Sequence, residues 1–567
     1  MSNWDHETDF LVIGSGGGGM TGAVIAHDCG ADTLVIEKSS VYGGTTALSG
    51  GVIWVPNNHH MPGVNIPDSS ADAYAYLKVV TAGEVEEKRL KAYIERAPEM
   101  LRYMEDHGST VFEAAPQYMD YYPELEGGKP GSRSIDPSPF SRRKLGEEGE
   151  TQRQPNQGGV FNLSMTAKEA HYLLDFTWKT YIWLAKRLFQ YWTDIPARIK
   201  GKQDNRMTLG RGLVGMLRYA MKRRNIDLRL NTSLKEFIKE GDRVVGIIAE
   251  KSGKSIRIKA NKGILLAAGG FAGNTEMRQQ YQQAPITNEW TAANPDNTGD
   301  GISAGQSIGA ATEFMHCAWW TPSYKIPSGA AEALIIGKSM PGSMFVNKAG
   351  RRFVNEAAPY EDVVKGQYNS QATGVDSVPA FMIFDGRFRE TYPCGPIGPA
   401  SAQPDSMIPK RYEGFLKKAD SLEGLANILG IDAEGLVDEV ARNNRFAETG
   451  IDEDFGRGDS LHDRYYSDPK IIPNPNIAPI VKAPFYAFEI YPGDLDTKGG
   501  LKANEHGQVL NENSEPIKGL YVTGNSSGAV MGNSYPGAGS TIGPSMAFGY
   551  IAACHAMEQL PEAERKV

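Results

Sequence analysis

The glycines at 14, 16, 17 and 19, in the run GSGGGG, are the first residues whose spacing suits a definite chemistry. A Gly-x-Gly-x-x-Gly turn lets the backbone approach a pyrophosphate, and a helix opening on it offers free N–H groups and a favourable dipole. Alone, such a turn is a weak signal. Here residues 9–14 (DFLVIG) read as a short buried strand, 20–29 as a helix stopped at Gly30, and 33–37 as a second strand. Strand, glycine turn, helix and strand within about 30 residues make a βαβ unit. Glu37, at the end of the second strand, is placed to bind ribose hydroxyls.

A nicotinamide dinucleotide would satisfy that unit equally well, so other segments must decide. Lys38 leads into a glycine and threonine loop, with Gly43, Gly44, Thr45, Thr46, Ser49, Gly50 and Gly51, able to carry the backbone past a bulky ring system. Near the other end of the chain, 519–525 reads as a strand delivering a turn at Gly524 and Asn525. A glycine-rich stretch (528–543) and a helix (544–557) follow, and that helix N-terminus suits the electron-rich edge of a flavin. Between the two ends, 227–231, 244–250, 256–259 and the glycine-flanked 263–270 read as strands. The texture of 330–490 is different, with a strand at 380–384, helices at 422–428 and 433–446, and loops.

The set GSGGGG, EK with GGTTALSGG, LLAAGGF, NTGDGISAG and GLYVTGN resembles the fumarate reductase/succinate dehydrogenase flavoprotein superfamily through most of the chain. The resemblance implies an α/β protein: a Rossmann-like FAD-binding domain built from N- and C-terminal segments, with an α+β catalytic domain inserted between them. The expected boundaries are 1–318, 319–494 and 495–567. The resemblance also adds Ala268, Gly269, Asn274, Asp300, Gly539, Thr541 and Ile542 to the residues expected to bind FAD. Covalent flavin members carry a histidine in the loop that here spans 43–51. This loop has none, and His59 and His60 come later, so non-covalent FAD is expected.

Dicarboxylate-handling members use arginines and a histidine. Arg351 and Arg352 are present, without a matching histidine motif beside them. Three segments resemble the 3-ketosteroid Δ1-dehydrogenases instead: FVNEAAPY (353–360), DLDTKGG (494–500) and NSYPGAG (533–539). A fourth, YMDYYP (118–123) followed by GSR (131–133), is similar but looser. Asp496 departs from that family, which usually has glycine there. The segment Ala318, Trp319 and Trp320 also matches, and is expected to line a flat apolar pocket.

That resemblance implies removal of a C2 proton and transfer of a C1 hydride to flavin N5. The proton is weakly acidic until the neighbouring carbonyl is polarised, so donors must face the C3 oxygen. The implied donors are the Tyr535 hydroxyl and the Gly539 N–H. Tyr360 is the implied base, with Tyr121 assisting or relaying its proton; Tyr122 is the alternative to Tyr121. A phenol with a reference pKa of ~10 makes a tyrosinate costing ~4 kcal/mol at neutral pH. Neighbouring donors are expected to lower that cost, and an alkaline optimum would follow. The chain has 25 tyrosines, so ordinary packing is the competing account of any one of them. Rival functions are 3-oxo-5α-steroid Δ4-dehydrogenation, a fumarate-reductase-like activity and a flavin-binding protein without turnover; the tyrosine set speaks against the last.

The remaining features set limits. A chain of 567 residues exceeds one compact core, and 40% hydrophobic with 22% charged residues is ordinary for a foldable protein. A net charge of −9 argues against nucleic acid as the main partner. Four cysteines without a CxxC and ten histidines without ligand spacing give no metal-site or disulfide signal, and favour a reducing compartment. With no leader-like N-terminus and no run of ~18 apolar residues, a cytoplasmic protein is expected. Its expected partners are a 3-ketosteroid and an electron acceptor, either a quinone or an electron-transfer protein. Residues 171–206 stand out: Tyr172, Phe176, Trp178, Tyr181, Trp183, Phe189, Tyr191 and Trp192 interleave with Lys179, Lys186, Arg187, Arg198, Lys200, Lys202 and Arg206. Peripheral contact with the inner face of a membrane, packing on the core and an oligomer contact all suit that composition.

Overall fold

The computed structural model describes residues 4–154, 163–166, 168–169, 178–201 and 203–561. The first strand, His6–Ile13, is buried from Phe10 onward and pairs in parallel with Thr33–Ile36, Leu11 opposite Leu34. Asp227–Arg229 extends the sheet in parallel beyond Thr33–Ile36. On the other side, the 13-residue strand Lys254–Leu266 runs parallel to the first strand. Its early half also carries the antiparallel strands Arg243–Lys251 and, beyond it, Thr232–Glu240. Its last residues pair in parallel with Pro516–Val522, so the C-terminal segment completes the N-terminal sheet. The sequence pattern divides this long strand in two at Gly263. The structure keeps it continuous, because pairing with the first strand runs along both halves, Thr8 opposite Ala260 and Phe10 opposite Gly263.

The closing helix, Ile542–Met557, is buried on nearly every side, as a helix apolar all round must be. It presses on the first helix, Gly17–Asp28, backbone to backbone. A Cβ at Gly18 would lie 2.4 Å from the Ser545 carbonyl oxygen, and one at Gly549 would lie 2.3 Å from the Gly18 carbonyl oxygen. The chain's two ends are thereby held together.

The inserted part is built on an antiparallel sheet. Its strand Phe485–Thr497 pairs with Ala318–Lys325 along one stretch and with Ala380–Phe384 along another, and Ala380–Phe384 pairs in turn with Ser343–Val346. The helix Tyr360–Ala372 opens directly after Pro359, which cannot be continued backward as helix, so Tyr360 stands at its first position. The aromatic helix Trp178–Thr193 and the short Ile195–Lys200 lie in the basic insertion. Tyr172, Phe176 and Lys202, and the side chains of Lys179 and Lys200, fall outside the described residues. Among the described residues, no helix is long and apolar enough to cross a membrane.

Candidate active site

A cavity of about 470 Å³ runs from the glycine turn to a cluster of tyrosines. Every residue singled out from the sequence as catalytic or cofactor-binding lines it, apart from Gly43, Asn274 and Tyr121. Gly43 instead precedes the helix Gly44–Leu48, its N–H donating to Ser15 Oγ. Asn274 caps the helix Thr275–Tyr281 by accepting from Met277 N–H, so its side chain is spent on helix geometry.

At the glycine turn, Gly14 has φ 107°, and a Cβ there would lie 2.2 Å from the Ala267 carbonyl oxygen; only glycine fits. Gly17 N–H donates to Thr46 Oγ1 at 3.1 Å, which ties the turn to the threonine loop. Glu37 accepts from Ser15 and Ser39, and Lys38 donates to Thr298 and Asp300. Bare backbone, a helix N-terminus and a fixed carboxylate together fit the pyrophosphate and ribose of a dinucleotide.

At the other end, the rings of Tyr360 and Tyr535 stand 5.1 Å apart at 88° and both line the cavity. Tyr121 lies behind them and donates its hydroxyl to Tyr360 Oη at 2.5 Å. The neighbouring Tyr122 points elsewhere, donating to Asp362 at 3.0 Å. Gly539 has φ 90°, and a Cβ there would sit 2.6 Å from the Val52 carbonyl oxygen. Its own carbonyl accepts from Trp54 and Gly543.

Burial pushes the phenols of Tyr360, Tyr121 and Tyr535 above their ordinary range. The Tyr121 hydrogen bond acts in the opposite direction on Tyr360, and burial outweighs it. The neighbouring Tyr121 donor thus eases ionisation as expected, but desolvation of a phenolate costs more than that one donor returns.

Two further expectations change. Trp319 and Trp320 do not line the cavity. Trp319 packs edge-on against Tyr535 at 4.8 Å and donates to Asn525, and Trp320 packs on Tyr368 in a separate cluster. Alternation along a strand buried on both faces gives no signal of which side meets a cavity. The arginines are likewise structural: Arg352 is buried between Glu356 and Asp452, and Arg351 pairs with Asp438 at the surface.

The structure also brings in groups the sequence did not single out for the site. Tyr118, Asn297 and Asp496 line the cavity. Behind it, Lys498 and Glu361, both fully buried, form an ion pair at 2.6 Å. His462 packs edge-on to Tyr121 at 4.9 Å, with burial holding its pKa down to about 3. Lys498 lies in the DLDTKGG segment without a role being legible there, and His462 has no local sequence signal, since each meets its partner only through tertiary contact. Away from the cavity, His59 and His60 both place Nε2 on Glu105, at 2.8 and 2.9 Å. Two imidazole N–H groups donating to one carboxylate account for that arrangement.

The sequence matches the FAD binding domain family over residues 9–542. The 3-oxosteroid 1-dehydrogenase of Mycobacterium tuberculosis is 39% identical over 566 residues, covering 98% of this chain and 99% of that enzyme. The chain belongs to the 3-oxosteroid 1-dehydrogenase family. A crystal structure of 3-ketosteroid delta1-dehydrogenase from Sterolibacterium denitrificans, in complex with 1,4-androstadiene-3,17-dione, superposes with a TM-score of 0.94 at 43% identity. It covers 98% of this chain and 100% of that one. The 3-ketosteroid-delta4-(5alpha)-dehydrogenase of Rhodococcus jostii RHA1 shares the fold, with a TM-score of 0.64 at 20% identity, over 99% of this chain and 98% of that one. As a member of this family the chain is an FAD-dependent oxidoreductase, and the cradle at the glycine turn fits that cofactor.

Proposed function

We propose that the protein introduces the Δ1 double bond into 3-ketosteroids, with FAD held non-covalently. The observation that supports this most is that Tyr360, Tyr535 and Gly539 share one cavity with the dinucleotide cradle. In this reading, the Tyr535 hydroxyl and the Gly539 N–H hold the C3 ketone oxygen and stabilise the charge that grows there. Tyr360 takes the C2 proton, and Tyr121, hydrogen-bonded to it, steadies the resulting phenolate or passes the proton on. Bound FAD supplies the acceptor for the C1 hydride. The electrons then leave to a quinone or an electron-transfer protein.

Purified yellow protein with phenazine methosulfate as artificial acceptor tests the reading. It should convert 4-androstene-3,17-dione to the 1,4-diene. Desaturation only of a 5α-saturated analogue at C4, reduction of fumarate by added reductant, or no turnover of any of them would overturn it.

We also propose that the insertion rests on a lipid surface. Trp178, Tyr181, Phe189 and Trp192 are each more than 60% exposed, with Ile195 and Ile199 beyond them and Arg198 nearby. Aromatic and basic residues together suit a headgroup interface, and a bilayer stores apolar substrates such as steroids. Deleting 178–196 should move the protein to the soluble fraction; an unchanged distribution would discard the idea.

A further inference from the structure

Three charged side chains follow one another along the end of the strand Phe485–Thr497 and just beyond it, and two are neutralised. Asp494 pairs with Arg278, and Lys498 pairs with Glu361. Asp496, between them, has no cationic partner among the described residues. It is nevertheless fully buried and lines the cofactor cavity.

Its surroundings are built for a carboxylate. Oδ2 accepts from Asn525 Nδ2 at 2.9 Å, from Gly270 N–H at 3.3 Å and from Asn297 Nδ2. Oδ1 accepts from Thr497 N–H at 2.8 Å. All four partners are N–H donors, the pattern an ionised acid requires. The Asn525 amide is oriented by Trp319, whose Nε1–H donates to Asn525 Oδ1 at 3.0 Å, and Trp319 in turn packs on Tyr535. Through Asn525 and Trp319, Asp496 is connected to the tyrosine end of the cavity, and through Asn297, which also donates to Thr45 Oγ1 at 2.9 Å, to the threonine loop. Its backbone φ of 150° lies in a region that favours glycine, so the carboxylate is held there at a conformational cost.

We propose that the Asp496 carboxylate poises the bound FAD by opposing electron uptake, which lowers its reduction potential. A buried charge without a counter-ion acts on its surroundings over several ångströms, because little solvent screens it. A negative charge beside a ring system that gains electrons disfavours the reduced form.

The inference rests on FAD binding alone and does not need the steroid reading. Its test is a spectroscopic redox titration of the purified flavoprotein without steroid, comparing wild type with Asp496→Asn and Asp496→Gly. Asparagine keeps the shape and removes the charge, and glycine also relieves the backbone, which protects folding. Both variants should retain FAD, and both midpoint potentials should shift to more positive values. Unchanged or more negative potentials would overturn the proposal. Loss of FAD from both variants, with unchanged melting temperature, would overturn it too, because Asp496 would then be a cofactor-retention residue.

Discussion

Tyr360 must give up its own proton before it can accept one from a substrate, and its position makes this harder than in water. Burial raises its phenol, and the Tyr121 bond returns only part of that cost. In the proposed reaction, log(kcat/KM) should therefore climb with unit slope through neutral and alkaline pH, with no plateau below ~10. A profile flat above pH 7 would remove the tyrosinate from the account. Tyr360→Phe should keep bound FAD and lose turnover by a factor of ~10²–10⁴, the range for a positioned base. Tyr535→Phe should cost ~10²–10³, the range for one lost oxyanion donor, measured as steady-state kcat. At this scale the sequence was partly legible. Motif order located Tyr360, Tyr535 and Gly539, but nothing local separates Tyr121 from Tyr122, because both sit in a loop without a period. Only the tertiary structure directs one hydroxyl to Tyr360 and the other to Asp362.

Among the elements, the helix Tyr360–Ala372 and the 533–539 loop must keep a fixed spacing for two tyrosines to act on one substrate. Lys498 supplies the strut. Its ammonium donates to Glu361, beside Tyr360, and to the Ser534 carbonyl, beside Tyr535, and lies 4.7 Å from the Trp319 ring. Lys498→Met removes the buried partner of Glu361 and leaves that carboxylate only the partly exposed Lys365, with an expected cost on the order of 3 kcal/mol. The thermal midpoint and kcat should both fall. Lys365→Met, at the partly exposed side of the same carboxylate, should cost less than about 1 kcal/mol. Equal effects from the two would contradict the strut. Element boundaries were well marked where turn chemistry is local, as at the glycine turn. They were misread at Gly263, where pairing with the distant first strand decides, and at Trp319 and Trp320, where a strand buried throughout hides its cavity side.

The whole molecule works as a clasp between chain ends. The dinucleotide turn comes from the first 20 residues, while Gly539 and the closing helix come from the last 30, and the tyrosine base comes from the inserted part. The clasp depends on Gly18 and Gly549, which let two helices touch through their backbones. Gly18→Val should push the closing helix away, cost ~1–3 kcal/mol, and weaken FAD retention. FAD stoichiometry after gel filtration measures this, and a fully loaded, equally stable variant would contradict it. The chain-end architecture was legible because recurrent motifs appear at both ends in a fixed order. The burial of those helices against each other was not, since glycine spacing alone names no partner.

A single anaerobic turnover tests the central claim most directly. Adding one equivalent of 4-androstene-3,17-dione to the oxidised flavoprotein should bleach the flavin absorbance and yield one equivalent of 1,4-androstadiene-3,17-dione, and Tyr360→Phe should bleach at least ~100-fold more slowly. Bleaching at the same rate in the variant, or a wild-type flavin that stays oxidised in the steroid's presence, would contradict the account.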